Sequence, residues 1–210
     1  MLRRSSMTCV LVLLMMGGAG WCAETPVAPA ATGTPNAAAP ARSPAKPQSD
    51  VPGVGNFAKI SETLWRGAQP TAEGFAELKK RGVKTVVNLR SFHSDRDELA
   101  GLGLQYVHIY CQAWNPDDED VLRFLKVVQN PENQPVFVHC QHGADRTGMM
   151  VAIYRMIEQG WPVEDAVAEV RNFGFHRIFT QISDYLKQFD AAKVKEQVKE
   201  AKAPRIHVVE

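Results

Sequence analysis

The chain has 210 residues, 45% of them hydrophobic, and a formal net charge of +1 at pH 7. This length is enough for one catalytic domain with additional segments, and the apolar share is ordinary for a protein that buries a core. The near-zero charge, with basic residues spread along the chain, gives no reason to expect nucleic acid as a partner.

Residues 1–23 are predicted to form a secretory signal peptide. Two arginines precede an apolar run over residues 9–16, and small residues follow it before the expected cleavage site. The run is too short for a transmembrane helix, so we expect export, to the periplasm, without stable membrane insertion after cleavage. A lipid anchor on Cys22 is the alternative, and the bulky Trp21 before it argues against that anchor.

Residues 24–50 are rich in Ala, Pro and Thr and contain almost no large apolar side chain. Such a stretch cannot bury enough surface to offset its chain entropy, so a disordered linker is predicted. The folded domain is predicted over residues 51–191. Residues 192–210 are predicted to be a helical, polar tail that extends into solvent.

Strands and helices alternate along the predicted domain. Strands are predicted at residues 59–66 (an edge strand), 84–89, 104–109 and 135–139. Helices are predicted at residues 71–81, 95–102, 118–128, 147–159, 162–172 and 180–189. This alternation is typical of an α/β fold with a mainly parallel central sheet flanked by helices. The functional residues are then expected beyond the carboxyl ends of the strands.

Residues 136–148, with the sequence VFVHCQHGADRTG, are the most informative stretch. A buried strand stops at Cys140 and a helix begins a few residues later, so free backbone N–H groups form a nest for a phosphate-sized anion. Arg146 can close over the same anion through a bidentate fork. Thr147 can hydrogen-bond the Cys140 sulfur, and it could also cap the helix.

Other residues of this loop are predicted to shape the nest. His139 is expected to brace the loop from behind. Glycines let the chain turn sharply and approach the anion closely. The residues predicted to contact the phosphate are Gln141, His142, Gly143, Ala144, Asp145 and Gly148.

The pattern of His139-Cys140, five residues and Arg146-Thr147 resembles the signature of the cysteine-dependent protein tyrosine phosphatase superfamily. Residues 64–70 (LWRGAQP) and 84–90 (KTVVNLR) look like segments of its compact bacterial dual-specificity-like members. The resemblance covers roughly residues 56–189. It implies attack of Cys140 on a phosphate ester, a phosphocysteine intermediate, and hydrolysis by water without a metal or other cofactor. The implied partner is a phosphorylated protein or a small phosphate ester.

The two-step reaction needs an acid for the leaving oxygen and then a base for water. In the family this group is usually an aspartate on a separate loop before the nucleophile strand. Asp117 is our first candidate and Asp118 the second, although either could instead cap the following helix. Asp145 is a third candidate, by resemblance to lipid-directed relatives, and it could equally position Arg146 or His142.

Two further predictions concern the surroundings of the loop. The segment around His176 joins two late helices and could line the pocket. Cys111 lies near the acid loop, so a reversible disulfide with Cys140 is conceivable.

Several alternative functions remain open from the sequence. The loop has no lysine, which favours a singly phosphorylated substrate over an inositol phosphate or phosphoinositide. A rhodanese-like sulfur transferase also presents a cysteine in an anion-binding loop, but the Arg-Thr-Gly ending argues against it. A phosphate-binding pseudoenzyme is a further alternative, which the presence of Cys140, Arg146 and an aspartate-bearing loop disfavours.

Overall fold

The computed structural model describes residues 43–210. The predicted signal peptide and most of the predicted linker lie outside the described residues. Within them, six strands form a single sheet in the order β1-β2-β5-β3-β4-β6. The strands are β1 (Ala58–Lys59), β2 (Leu64–Gly67), β3 (Thr85–Asn88), β4 (Leu104–His108), β5 (Val136–His139) and β6 (His207–Val209).

Seven α-helices and one short 3-10 helix (Pro131–Asn133) accompany the sheet in the described part of the chain. The α-helices are α1 (Ala72–Lys80), α2 (Arg96–Leu99), α3 (Asp118–Gln129), α4 (Asp145–Glu158), α5 (Val163–Arg171), α6 (Thr180–Lys187) and α7 (Ala191–Glu200).

The inner strands β2, β5, β3 and β4 are parallel, and the two outer strands are antiparallel to their neighbours. The predicted α/β fold with a mainly parallel sheet is therefore confirmed. The register places the last residues of the four inner strands side by side, with His139 between Gly67 and Asn88, and Asn88 beside His108. A loop that leaves the end of β5 is thus surrounded by the loops that follow the other strands.

The sheet is covered on both faces, which explains why its inner strands read as continuous apolar runs. Val136 and Val138 of β5 belong to a core with α3, α4 and α5, whereas Phe137 between them packs with Phe75 and Leu78 of α1. Because successive side chains of a strand point to opposite faces, β5 is anchored in both layers at once.

Three predicted elements differ from the structure. The predicted edge strand at residues 59–66 is a hairpin of β1 and β2, and β2 is an inner strand paired with β5. The helix after the Cys140 loop begins at Asp145, so the N-cap is Ala144 and Thr147 lies inside the first turn. The helix expected at residues 95–102 is a single turn, α2.

The prediction of a disordered linker is wrong for residues 43–50. The backbone N–H of Ala45 donates to the Glu169 carboxylate on α5 at 2.8 Å, and Gln48 forms a β-bridge with Phe57. These backbone groups find partners on the domain surface, so the segment is ordered without a large apolar side chain of its own.

The prediction of a C-terminal tail in solvent after residue 191 is also wrong. Val194 and Val198 on one face of α7 are buried in the core that contains α3 and α4. Beyond it, β6 pairs with β4 and buries Val209 against the α1 side of the sheet. Most residues of this segment are polar, so its narrow apolar stripe was not recognised from the sequence. The stripe is buried only by contact with the rest of the domain.

Neighbouring valines on β6 test this placement. We expect Val209→Ala to lower the free energy of unfolding by about 1–2 kcal/mol, since two buried methyl groups are lost. Val208→Ala should change it by less than about 0.5 kcal/mol, because Val208 is 61% exposed on the opposite face. Urea denaturation of both variants measures the difference, and equal effects would show that β6 does not support the domain.

Candidate active site

Cys140 follows directly after β5, and residues 141–144 connect it to α4. The thiol lies at the base of this loop, where Cys140 is only 2% exposed. None of the backbone N–H groups of residues 141–144 donates a hydrogen bond within residues 43–210. The loop therefore holds a set of free donors beside a buried sulfur.

The orientation of those donors follows from the bonds made by three consecutive carbonyls. The Gln141 carbonyl accepts from the backbone N–H of Gln69 at 3.2 Å, and the His142 carbonyl accepts from the Asn56 amide at 3.0 Å. The Gly143 carbonyl accepts from the Arg66 guanidinium. In a trans peptide the N–H points away from the C=O, so the next three N–H groups face away from these partners. These N–H groups are the donors of the predicted nest, and their binding of an anion stays a prediction.

Gly143 is required by the close approach of the loop to β2. Its φ is +67°, and a Cβ added there would lie 2.5 Å from the carbonyl carbon and oxygen of Gly67. Both the left-handed backbone and the contact exclude a side chain. The loop thus packs directly on the backbone at the end of β2.

His139 lies behind the loop and is fully buried. Its Nε2 is 2.9 Å from Oδ2 of Asp95, and the other carboxylate oxygen of Asp95 accepts from the Gln69 amide at 2.8 Å. Burial disfavours ionisation of Asp95, but the hydrogen bonds from His139 and Gln69 outweigh it and hold the pKa of Asp95 below its usual value. A buried carboxylate thus fixes the ring of His139 next to Cys140.

Arg146 and Thr147 present unpaired polar groups in the first turn of α4. Arg146 is half-buried, its Nη1 donates to the Leu89 carbonyl at 3.4 Å, and its Nε is buried without a partner among the described residues. The Thr147 hydroxyl is likewise buried and unpartnered in that part of the chain. Both groups retain donors for an anion or a thiolate.

Asp145 is occupied by the segment around His176. It accepts from the backbone N–H of His176 and pairs with its Nδ1, both at 2.8 Å. The His176 ring lies 5.6 Å from that of His142, which is exposed on the loop. The structure therefore brings His142 and His176 together on the loop, and Asp145 holds His176 in place rather than serving as a free acid.

The two first candidates for the general acid are placed differently. Asp117 is the N-cap of α3: its Oδ1 accepts from the Glu119 N–H at 2.9 Å, and the side chain is exposed. Asp118 instead accepts from the Tyr185 hydroxyl at 2.7 Å and lies 3.5 Å from Nζ of Lys193. Asp118 is thus bound between α6 and α7, while Asp117 keeps a free carboxylate oxygen.

Asp120 was not predicted from the sequence. It is 8% exposed, and burial, together with the charge of Asp117, raises the pKa of its carboxyl group above the usual value. Burial and then the charge of Asp120 raise the pKa of Cys111 to about 12. Cys111 and Cys140 are free thiols here, and a redox pair between them stays a prediction.

Sequence reasoning also missed the residues that hold the loop, namely Asn56, Arg66, Gln69 and Asp95. Arg66 and Gln69 lie in the LWRGAQP segment used for the family resemblance, which was a usable signal. Asn56 had a weaker signal in its residue type, because asparagine tolerates the left-handed backbone that it adopts here, with a φ of +53°.

Comparison with known proteins decides the family. A family profile described as "DSP-PTPase phosphatase fused to NAD+ Kinase" matches residues 52–188. Dual specificity protein phosphatase TpbA of Pseudomonas aeruginosa is 38% identical over 176 residues, which are 82% of this chain and 72% of that protein. This chain belongs to the dual-specificity group of protein tyrosine phosphatases. The resemblance seen in its sequence is confirmed, and the chain is a cysteine-dependent phosphatase of that type.

Solved structures agree with this assignment. The crystal structure of P. aeruginosa TpbA matches with a TM-score of 0.66 at 32% identity, covering 75% of this chain and 98% of that one. A cysteine-to-serine variant of TpbA in complex with phosphotyrosine matches equally well. The core catalytic domain of the Saccharomyces cerevisiae PP-IP phosphatase SIW14 shares the fold, with a TM-score of 0.62 at 22% identity over 75% of this chain and 95% of that one.

Within residues 43–210, no helix is long and apolar enough to span a bilayer.

Two glycines with nearly the same φ test the packing of the nest. Gly143→Ala and Gly160→Ala both place an alanine in the left-handed region, at φ +67° and +64°, which costs about 1–2 kcal/mol. Only Gly143→Ala must also displace the backbone of Gly67, whereas a Cβ at Gly160 meets no atom within 4 Å.

We therefore expect Gly143→Ala to weaken binding of inorganic phosphate by about 10-fold or more, since small displacements of a site are costly. Gly160→Ala should keep wild-type phosphate affinity. Isothermal titration calorimetry measures both, and equal affinities would mean that the loop tolerates the added methyl group.

Proposed function

We propose that this protein hydrolyses phosphate monoesters of protein tyrosine, and of serine or threonine more slowly, through a phosphocysteine on Cys140. The observation that carries the proposal is a buried thiol at the base of a loop whose N–H groups at residues 141–144 donate no hydrogen bond within residues 43–210. These donors and Arg146 match the negative charge that develops on the phosphoryl oxygens in the transition state.

In the first step the Cys140 thiolate attacks phosphorus, forming an S–P bond while the bond from phosphorus to the ester oxygen breaks. The departing oxygen takes a proton from an aspartic acid. Arg146 binds two phosphoryl oxygens, and the Thr147 hydroxyl, which has no other partner in the described residues, donates to the sulfur as it becomes a leaving group later.

In the second step water attacks the phosphocysteine, and the same aspartate takes a proton from it. The S–P bond breaks, which returns the thiolate and releases inorganic phosphate. We assign the acid and base to Asp117, because it is exposed on the loop between β4 and α3 and one of its carboxylate oxygens has no partner within residues 43–210. The raised pKa of Asp120 makes that residue the competing candidate.

The preference for a singly phosphorylated protein is supported by the loop itself and by the comparisons. Asp145 places a negative charge in the loop, and no lysine is present there to attract a polyphosphate. TpbA, the relative named as a dual specificity protein phosphatase, is more similar than SIW14, an inositol diphosphatase that is 25% identical over 149 residues. Inositol diphosphates are therefore the second candidate substrates.

A substrate panel tests the proposal. We expect the wild-type protein to hydrolyse p-nitrophenyl phosphate and a phosphotyrosine peptide faster than a phosphoserine peptide or inositol diphosphate, and Cys140→Ser to reduce all of them to background. Asp117→Asn should reduce kcat by about 10²-fold or more for phosphotyrosine, whose leaving group needs a proton, and much less for p-nitrophenyl phosphate.

Asp120→Asn is the matched control for this experiment. If only Asp120→Asn reduces kcat more for phosphotyrosine than for p-nitrophenyl phosphate, Asp120 is the general acid. The assignment of Cys140 as the nucleophile would be unaffected. Fastest turnover of inositol diphosphate would favour the second substrate class. Sulfur transfer from thiosulfate to cyanide, or retention of a phosphopeptide without turnover, would refute the phosphatase proposal.

We further propose that the phosphatase acts outside the cytoplasm, in the periplasm, after removal of residues 1–23. The support is the charge and hydropathy pattern of this segment. Expression of the full chain in a Gram-negative host should give a periplasmic protein shortened by about 23 residues, as measured by fractionation and intact mass. A full-length cytoplasmic product would contradict this.

A further inference from the structure

Arg66 is a cation in the interior of the domain. The residue is 0% exposed on β2, yet its guanidinium makes a single hydrogen bond within residues 43–210, from Nη2 to the Gly143 carbonyl. Its Nε and Nη1 are buried and have no partner there. A buried charged group with unsatisfied donors is costly, so its presence calls for a function.

The charges around Arg66 leave it without a structural counter-ion. Glu169 attracts it, but the Glu169 carboxylate is already bound by Nε and Nη2 of Arg155 at 3.0 and 2.8 Å. The other face of the guanidinium lies over the Phe173 ring, 3.6 Å from its centre. Among the described residues, the other anion close enough to attract it is the Cys140 thiolate.

Arg66 stays charged under the conditions in which the enzyme would act. Burial lowers the pKa of Arg66 to about 9, and attraction by Cys140 partly opposes this. The side chain is therefore still a cation at neutral pH. Because the attraction between two charges is mutual, the same interaction lowers the free energy of the Cys140 thiolate.

We propose that Arg66 is a positioning residue of the phosphatase site that supplies a second positive charge from behind the loop. It acts through the Gly143 peptide: a charged donor on the Gly143 carbonyl polarises that peptide and strengthens the Ala144 N–H as a donor to the anion. The charge of Arg66 thus stabilises the Cys140 thiolate before the reaction, and it stabilises the phosphoryl group in the transition state. This inference rests on the proposed role of Cys140.

Three substitutions separate charge from position. Arg66→Met removes the charge and the hydrogen bond but keeps a long side chain over Phe173. Arg66→Lys keeps the charge and loses the planar stacking. Asn56→Gly removes the neutral donor that the His142 and Phe173 carbonyls share, and glycine suits the φ of +53° at this position.

The first measurement is the pH dependence of Cys140 alkylation by iodoacetamide, followed in the full chain by mass spectrometry of the Cys140 peptide. We expect the midpoint to rise by about one pH unit in Arg66→Met, so that the alkylation rate on the acid side of the wild-type midpoint falls about 10-fold. Arg66→Lys should keep the wild-type midpoint, and Asn56→Gly should move it clearly less than Arg66→Met does. A group that only held the loop in place would shift the midpoint no more than Asn56→Gly.

The second measurement compares stability with activity. Replacing an unpaired buried charge by an apolar side chain of similar length is neutral or stabilising. Arg66→Met should therefore unfold at the wild-type temperature or above it, while kcat/KM for a phosphotyrosine peptide falls by about 10-fold or more. Arg66→Lys should recover part of that loss.

Two results would overturn the proposal: an Arg66→Met alkylation profile that overlays the wild type, or an Arg66→Met protein that unfolds several degrees lower. Either would make Arg66 a structural residue. The alkylation measurement needs no substrate, so it stands even if the wild-type protein hydrolyses no phosphate ester, which would be the failure of the proposed function instead.

Discussion

The binding of three successive loop carbonyls by the segment that forms β1 and β2 is the interaction on which the site depends. The carbonyls of residues 141, 142 and 143 accept hydrogen bonds from Gln69, Asn56 and Arg66, in that order. The N–H group of each of these three peptides must therefore point away from its donor. A loop with the same sequence but without these donors could turn its peptides freely. The nest is therefore a property of two segments and not of the cysteine loop alone.

Two buried charged residues, Asp95 and Arg66, support the cysteine loop through opposite kinds of interaction. His139 is held by a buried carboxylate, Asp95, whose charge is satisfied by several donors. Arg66, on the neighbouring strand, carries a charge whose donors are mostly unsatisfied. The first arrangement stabilises the fold, whereas the second keeps electrostatic attraction available for an anion. Such a division is expected at a site that must be rigid and must also bind a highly charged group.

The parallel sheet explains why these contacts are possible. Gly67, Asn88 and His139 end their strands in register, so the loops that follow meet at one edge. The additional strand β6 and helix α7 contribute Val209, Val194 and Val198 to the two cores. Helix α7 also reaches the loop of the candidate acid, because Nζ of Lys193 lies 3.5 Å from Asp118. The C-terminal segment thus supports both the fold and the surroundings of the site.

The sequence by itself determined the nucleophile loop, the order of most strands and helices, and the family, because these depend on local spacing and periodicity. It could not determine which residues hold the loop, since Asn56, Arg66 and Asp95 lie 44 to 86 positions from the residues that they contact. It also missed β6 and the core face of α7, whose few apolar residues become meaningful only beside β4 and α3. Contacts between distant segments have no local signature, so the tertiary structure alone decided them.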